Sequence, residues 1–288
     1  MVNRSTHLGI VVGVDGSPGS MIAVQWAAQD AALRGVPLTL VHAARTRSQR
    51  ERGQQVLDEA RRIAGEKPRV QCEMPSATAV FALTDLSEHA DLVVVGCLGT
   101  GTLRGRHLCS VSSTLIHHAH CPVVVIHDDV QLNPESNTAP VLVGIDGSPE
   151  SELAIAIAFE EASARKVGLT AVHAWQPVNV FDDNVFDDIV SFAGEGYLTL
   201  RAREDEIMSE RLAGWSERYP DVTVQRVVAR NDPTPQLIDY AKTAQLVVVG
   251  SHGSGGLAAM LLGSVSAGVV LLTHVPIIVA RASLAGAR

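Results

Sequence analysis

The sequence predicts an α/β protein made of two tandem, doubly wound parallel-sheet domains. Three observations lead there. Short apolar runs rich in β-branched residues, such as Leu246-Val247-Val248-Val249, read as strands covered on both faces. These runs alternate with helical segments, the order that builds a parallel sheet with helices on both sides. The chain also repeats itself. Val141-Leu142-Val143-Gly144-Ile145-Asp146-Gly147-Ser148-Pro149 restates residues 10–18 at an offset of 131, Asp146 standing against Asp15.

The first strand is expected over residues 9–14, with Gly16 making the turn after Asp15. Ser17 caps the next helix, and Pro18 sits at its first position, where a missing N–H costs nothing. Gly35 is the expected C-terminal cap. Residues 38–43 form the second strand, repeated as Leu169-Thr170-Ala171-Val172-His173-Ala174. Residues 49–65 and 197–219 read as amphipathic helices, 70–74 and 222–228 as third strands. Asp91-Leu92-Val93-Val94-Val95-Gly96 is restated by residues 245–250 at the larger offset of 154, Gly250 against Gly96, so the second half carries a 23-residue insertion. Final strands follow Pro122 and Pro276, at residues 123–126 and 277–280. The halves are residues 1–130 and 140–288, joined by the polar stretch DDVQLNPESNTA (128–139). Two similar apolar final strands would each lie at a sheet edge, which proteins cover or pair. The halves are therefore expected to pack as a pseudo-twofold pair.

Totals bound the function. A chain of 288 residues suggests two domains, and 46% hydrophobic content lets each bury a core. A net charge of −8 with three lysines, Lys67, Lys166 and Lys242, disfavours a nucleic-acid partner. No apolar run is long enough to span a membrane, and residues 1–9 lack a signal-peptide core, so a cytoplasmic location is expected. Cys72, Cys97, Cys109 and Cys121 form no CxxC pair, and a disulfide framework is not expected.

The candidate site is built around residues 250–266, GSHGSGGLAAMLLGSVS. It follows a buried strand and ends as Gly263-Ser264 opens a helix. Glycines let backbone approach an anion, successive N–H groups can face it, and the helix N-terminus adds partial positive charge. The spacing Gly250-x2-Gly253-x9-Gly263-Ser264 resembles the ATP-binding loop of the universal stress protein family. The resemblance extends over both halves. It implies a Rossmann-like fold of the adenine nucleotide alpha hydrolase type, and an ATP-binding regulator of the stress response. Magnesium could accompany the ATP. It places Asp15 and Ala43, with Asp146 and Ala174, beside adenine and ribose, next to Gly13 and Gly144 at the strand ends. It assigns the phosphates to Gly250, Gly253, Gly263, Ser264, Val265 and Ser266, and in half one to Gly96, Gly99, Ser110, Val111 and Ser112. Dimerisation is common in the family, and a regulator implies a protein partner downstream.

One position departs from the pattern. Cys109 stands where half two has Gly263. A cysteine forced to positive φ would be strained by about 1–3 kcal/mol, weakening that site roughly ten- to a hundredfold. A thiol at a helix N-terminus should also have a lowered pKa and repel phosphate as the thiolate. Half two is therefore expected to be the stronger site.

Other chemistries are less favoured. There is no GxxxxGK[ST] motif, no loop lysine, and no base placed to activate water, so at most slow hydrolysis is expected; Arg104 and Arg106 could help half one alone. A nucleotide hydrolase or adenylyl-transfer enzyme of the same fold is the alternative. Gly253-x-Gly255-x-x-Ala258 mimics a dinucleotide fingerprint but follows the wrong strand. Asp182, Asp183, Asp187 and Asp188 lack the EF-hand register, and His117, His118, His120 and Cys121 lack zinc spacing, so no metal site is expected. The repeated pairs His42/His173 and His120/His274 suggest structural roles at element ends.

Overall fold

In half one, Ser17 and Pro18 start a helix and Gly35 stops it; Ser148 and Pro149 do the same in half two, where Lys166 takes the left-handed turn. The computed structural model describes residues 7–97, 109–132, 138–174, 195–229, 232–253 and 262–281. Half one runs β1 (Ile10–Gly13), α1 (Pro18–Arg34), β2 (Leu38–Val41), α2 (Arg47–Ala64), β3 (Val70–Glu73), α3 (Ala79–Leu86), β4 (Leu92–Cys97), α4 (Ser110–His118) and β5 (Val123–His127). Half two runs β6 (Val141–Gly144), α5 (Pro149–Arg165), β7 (Leu169–Ala174), α6 (Glu195–Arg218), β8 (Val224–Ala229), α7 (Pro233–Ala241), β9 (Leu246–Gly250), α8 (Ser264–Leu272) and β10 (Ile277–Ala280). Helices α3 and α7 span only eight and nine residues, too short for periodicity to mark them in the sequence. Their caps, Thr78 and Asp232 with Pro233, were the available signal.

The ten strands form one sheet in the order β3-β2-β1-β4-β5-β10-β9-β6-β7-β8. Each half is parallel throughout. The seam between them is antiparallel, with Ile277 opposite Val125, Ile278 opposite Val124 and Val279 opposite Val123. The final strands thus cover each other's edge, and the pseudo-twofold pairing expected from the repeat is realised inside one sheet. Alternate side chains of each strand enter opposite layers. Val12, Val94 and Val124 pack under α1, α2, α5 and α6, whereas Val11, Val95 and Val125 pack under α3, α4, α7 and α8. Both layers draw residues from both halves, so the core is continuous across the seam.

Polar contacts obey the same pseudo-symmetry. Asp30 and Arg34 on α1 correspond to Glu161 and Arg165 on α5. Arg34 Nε donates to Asp30 at 2.8 Å and Arg165 Nε to Glu161 at 2.9 Å; Arg165 also reaches Asp30 at 2.6 Å, and Arg34 reaches Glu161. Both carboxylates are only 1% exposed. Burial and the neighbouring Glu161 raise the Asp30 carboxyl to about 7 against the pull of both arginines. A second exchange joins the opposite layer. His127 Nε2 donates to Val270 O of α8 at 2.6 Å, and Arg281, its counterpart, donates to Ile116 O of α4 at 2.7 Å.

Candidate functional site

Strand order reverses between β1 and β4 and between β6 and β9, so the connections leaving each pair diverge and open a crevice at their carboxyl ends. In half two this crevice is a cleft of about 930 Å³. Asp146, Ala174, Gly250, Gly253, Gly263 and Ser264 all border it, as do Gly144, Val265 and Ser266. The sequence-derived residues of half two are therefore brought together. Leu237 of α7, Val249 and His252 also line it and were not anticipated, because α7 was not read and His252 stood inside a loop read for its glycines.

The Asp146 loop is held from several sides. Gly147 takes φ +82°, a turn that other residues rarely adopt. Asp146 Oδ1 accepts the Ser148 N–H at 3.0 Å and the Ser148 hydroxyl at 2.7 Å. Ser148 Oγ in turn accepts the Ser151 N–H at 3.1 Å, capping α5, and lies 3.3 Å from His252 O. Gly253 closes over the same carboxylate: a Cβ there would lie 2.5 Å from Asp146 Oδ2. His173 fixes the loop from beneath, its Nδ1 donating to Ile145 O at 2.7 Å. His42 makes the matching 2.7 Å bond to Val14 O, so this pair has the structural role its repetition suggested. His274 pairs with Asp129 across the seam at 2.9 Å, while His120 stands 3.7 Å from Glu88.

The start of α8 opens into the cleft. Gly263 occupies its N-cap position, and no side chain caps the helix. Gly263 N–H donates to Ser251 O at 2.9 Å, folding the loop end back on β9. Ser264 is exposed toward the cleft, whereas the Ser266 hydroxyl is buried and donates to Gly250 O at 2.6 Å. Free N–H groups at an uncapped helix start favour an anion. Among the described lining residues there is no lysine or arginine. Gly250 also has a packing duty, since a Cβ there would lie 3.0 Å from Glu150 backbone. At Gly96 the same position would meet Gly19 and Ser20 backbone at 2.4 to 2.6 Å.

Half one differs at its helix start. Gly13, Asp15, Ala43, Gly96, Ser110, Val111 and Ser112 occupy the corresponding places, while Gly99, Arg104 and Arg106 lie outside the described residues, as do the four acidic residues of the insertion, Gly255 and Ala258. Burial acts to raise the Asp15 carboxyl, but hydrogen bonds from Ser17 and Ser20 outweigh it and hold the pKa below the ordinary value. Cys109 corrects two expectations. Its φ is −66°, close to the −56° of Gly263, so no backbone strain arises. Its pKa is not lowered but raised, by its interaction with the Cys97 thiol and by burial. The thiol turns inward, donating to Gly96 O at 3.8 Å, while the Cys109 backbone N–H donates to Cys97 Sγ. Its effect on the site is of another kind: Cys109 Sγ accepts the Ser112 N–H at 3.5 Å and caps α4, an N–H that α8 leaves uncapped.

Together, the strand order, the half-two cleft and the glycine at its helix start define a tandem, doubly wound α/β protein with a cleft at the carboxyl ends of its strands. The sequence model described as the universal stress protein family matches residues 9–127 and again residues 138–281. A universal stress protein of Mycobacterium tuberculosis strain H37Rv is 46% identical over 305 residues, covering 99% of this chain and 100% of the relative. One from Mycobacterium bovis is 45% identical over 301 residues, covering 97% and 99%. The crystal structure of a universal stress protein from Archaeoglobus fulgidus superposes with a TM-score of 0.69 at 21% identity, covering 95% of this chain and 98% of that one, a likeness of fold. The chain belongs to the universal stress protein family. Among the described residues no helix is long and apolar enough to cross a membrane, and no group of three or more His, Cys, Asp or Glu is placed to hold a metal.

Proposed function

We propose that the protein binds an adenine nucleotide, ATP foremost, in the half-two cleft, and acts as a nucleotide-dependent regulator in stress response within the cytoplasm. The observation that carries this reading is the convergence of Asp146, Gly253 and the uncapped start of α8 on one cleft of about 930 Å³, a size suited to a nucleotide. Asp146 supplies an acceptor for ribose hydroxyls, and the apolar Val172, Ala174 and Leu237 wall offers a face for adenine. Backbone N–H groups of Ser264, Val265 and Ser266 at the start of α8 take the phosphates. A magnesium ion entering with the ATP would neutralise phosphate charge.

Turnover is slow in this reading. A cradle of backbone donors binds ground state and transition state alike, and the described lining holds no cation to take up charge developing on the γ-phosphate. Titration calorimetry with ATP, ADP and AMP tests the proposal. Asp146→Ala should weaken ATP binding at least about tenfold while circular dichroism stays unchanged. Steady phosphate release at roughly 1–100 s⁻¹, as kinases achieve, would favour the alternative of a hydrolase or adenylyl-transfer enzyme.

A further inference from the structure

Positions 97 and 109 of half one correspond to Ser251 and Gly263 of half two, so only half one has a cysteine at both. Cys97 is the last residue of β4 and is 3% exposed; Cys109 is the N-cap of α4 and is half-buried. The Cys109 N–H donates to Cys97 Sγ at 3.2 Å. One hydroxyl, Ser112 Oγ, lies 3.1 Å from Cys109 Sγ and 3.7 Å from Cys97 Sγ, bridging the two residues. Cys72 lies exposed on β3 and Cys121 is buried ahead of β5, so neither belongs to this group.

We propose that Cys97 and Cys109 form a modification site, a thiol pair that hydrogen peroxide converts into an intramolecular disulfide. Cys109, the more accessible sulfur, attacks peroxide as the thiolate. An S–O bond forms, the O–O bond breaks, and the released hydroxide takes a proton to become water. The Cys97 thiolate then attacks the Cys109 sulfenic acid. The S–S bond forms, the S–O bond breaks, and a second water leaves. Two thiols and one peroxide thus give one disulfide and two waters, two electrons passing from sulfur to oxygen. The bond ties the end of β4 to the start of α4, the two elements that flank the half-one cradle. Half two, with serine and glycine at these positions, has no equivalent. Because burial and the Cys97 contact keep the Cys109 thiol protonated, oxidation is slow at neutral pH and quickens as pH rises.

Peptide mapping of the full chain tests this without reference to any nucleotide. The protein is treated with hydrogen peroxide at neutral and alkaline pH, alkylated, digested with trypsin and sequenced by tandem mass spectrometry; Arg104 and Arg106 allow cleavage between the two cysteines, and fragment ions separate Cys97 from Cys72 and Cys109 from Cys121, with which they share tryptic peptides. The expected product is a Cys97–Cys109 linked peptide pair, two hydrogens lighter than its parts, formed faster at alkaline pH and restored by dithiothreitol. Cys97→Ser, which installs the residue of half two, should instead leave Cys109 on the path to sulfinic acid. The proposal is overturned by stable sulfinic or sulfonic acid at Cys109 in the unmodified protein with Cys97 still alkylated. Pairing of either residue with Cys72, Cys121 or a second chain overturns it too, as does resistance of both to peroxide at alkaline pH. Mapping of the unmodified protein decides the matter even where a variant fails to fold.

Discussion

Gly147 meets two demands at once, a φ of +82° and a site where a Cβ would lie 2.8 Å from Arg211 Nη2. Gly147→Ala should therefore cost about 1–3 kcal/mol, read as a lower midpoint at constant slope in urea unfolding. Gly35, with φ +67° and nothing within 4 Å of its Cβ position, should suffer from backbone strain alone and lose less. Asp15 adds a pH signature. Its folded pKa lies below the ordinary value, so its stabilisation is full above that ordinary value and is lost as pH falls through the lowered one. Asp15→Asn should lower stability at neutral pH and flatten the acid limb of a stability-versus-pH curve. Residue types were legible from sequence wherever backbone geometry follows from a motif, as with Ser17-Pro18 or the Asp-Gly turns. Cys109 was not legible, since neither its φ nor the inward path of its sulfur is encoded nearby; both depend on Cys97, twelve residues away. The expectation of unequal cradles now rests on another cause. A thiol caps α4 while α8 is uncapped, so Cys109→Gly should strengthen nucleotide binding in half one, measured as a second site in calorimetry.

Between elements, the strands were legible because parallel central strands need unbroken apolar runs on both faces, and Leu92–Cys97 and Leu246–Gly250 supply them. The contact between α1 and α5 was not. Asp30/Arg34 and Glu161/Arg165 each read as an ordinary (i, i+4) pair, though their repetition at buried helix positions was the clue to a shared partner. Removing one member leaves a buried charge uncompensated, so Arg34→Met should cost about 3–5 kcal/mol. Replacing all four residues by apolar ones of similar size should cost far less, which equilibrium unfolding of the single and fourfold variants can separate. Asp30 gives this cluster its own pH dependence. Its folded pKa, about 7, lies above the unfolded value, so its contribution is fully present below the unfolded pKa and is lost as pH rises through about 7. Asp30→Asn should remove that decline between acid and neutral pH.

At the scale of the whole molecule, two cores shared across one seam leave no boundary along which a half could open alone. Calorimetric unfolding should show a single transition for both halves, with van't Hoff and calorimetric enthalpies equal. Two separate transitions would show the seam to be weak. A chain of residues 1–130 alone would bare the β5 edge and should associate in solution, detectable by sedimentation. The repeat made the pairing of halves legible, because a similar apolar strand in each copy needs a cover. It did not reveal the antiparallel register or the reciprocal bonds of His127 and Arg281, which depend on how the copies face one another.

That seam has a further consequence for how the two cradles can differ. Were the halves separate identical chains, every amino-acid change would be made twice, and a cysteine pair in one cradle would necessarily sit in the other. Assembly would also weaken on dilution. A covalent tether removes both limits: the partner is always present, whatever the protein concentration, and each copy drifts on its own. Serine and glycine at 251 and 263 beside cysteines at 97 and 109 are what such licence allows, each partner free to differ from the other.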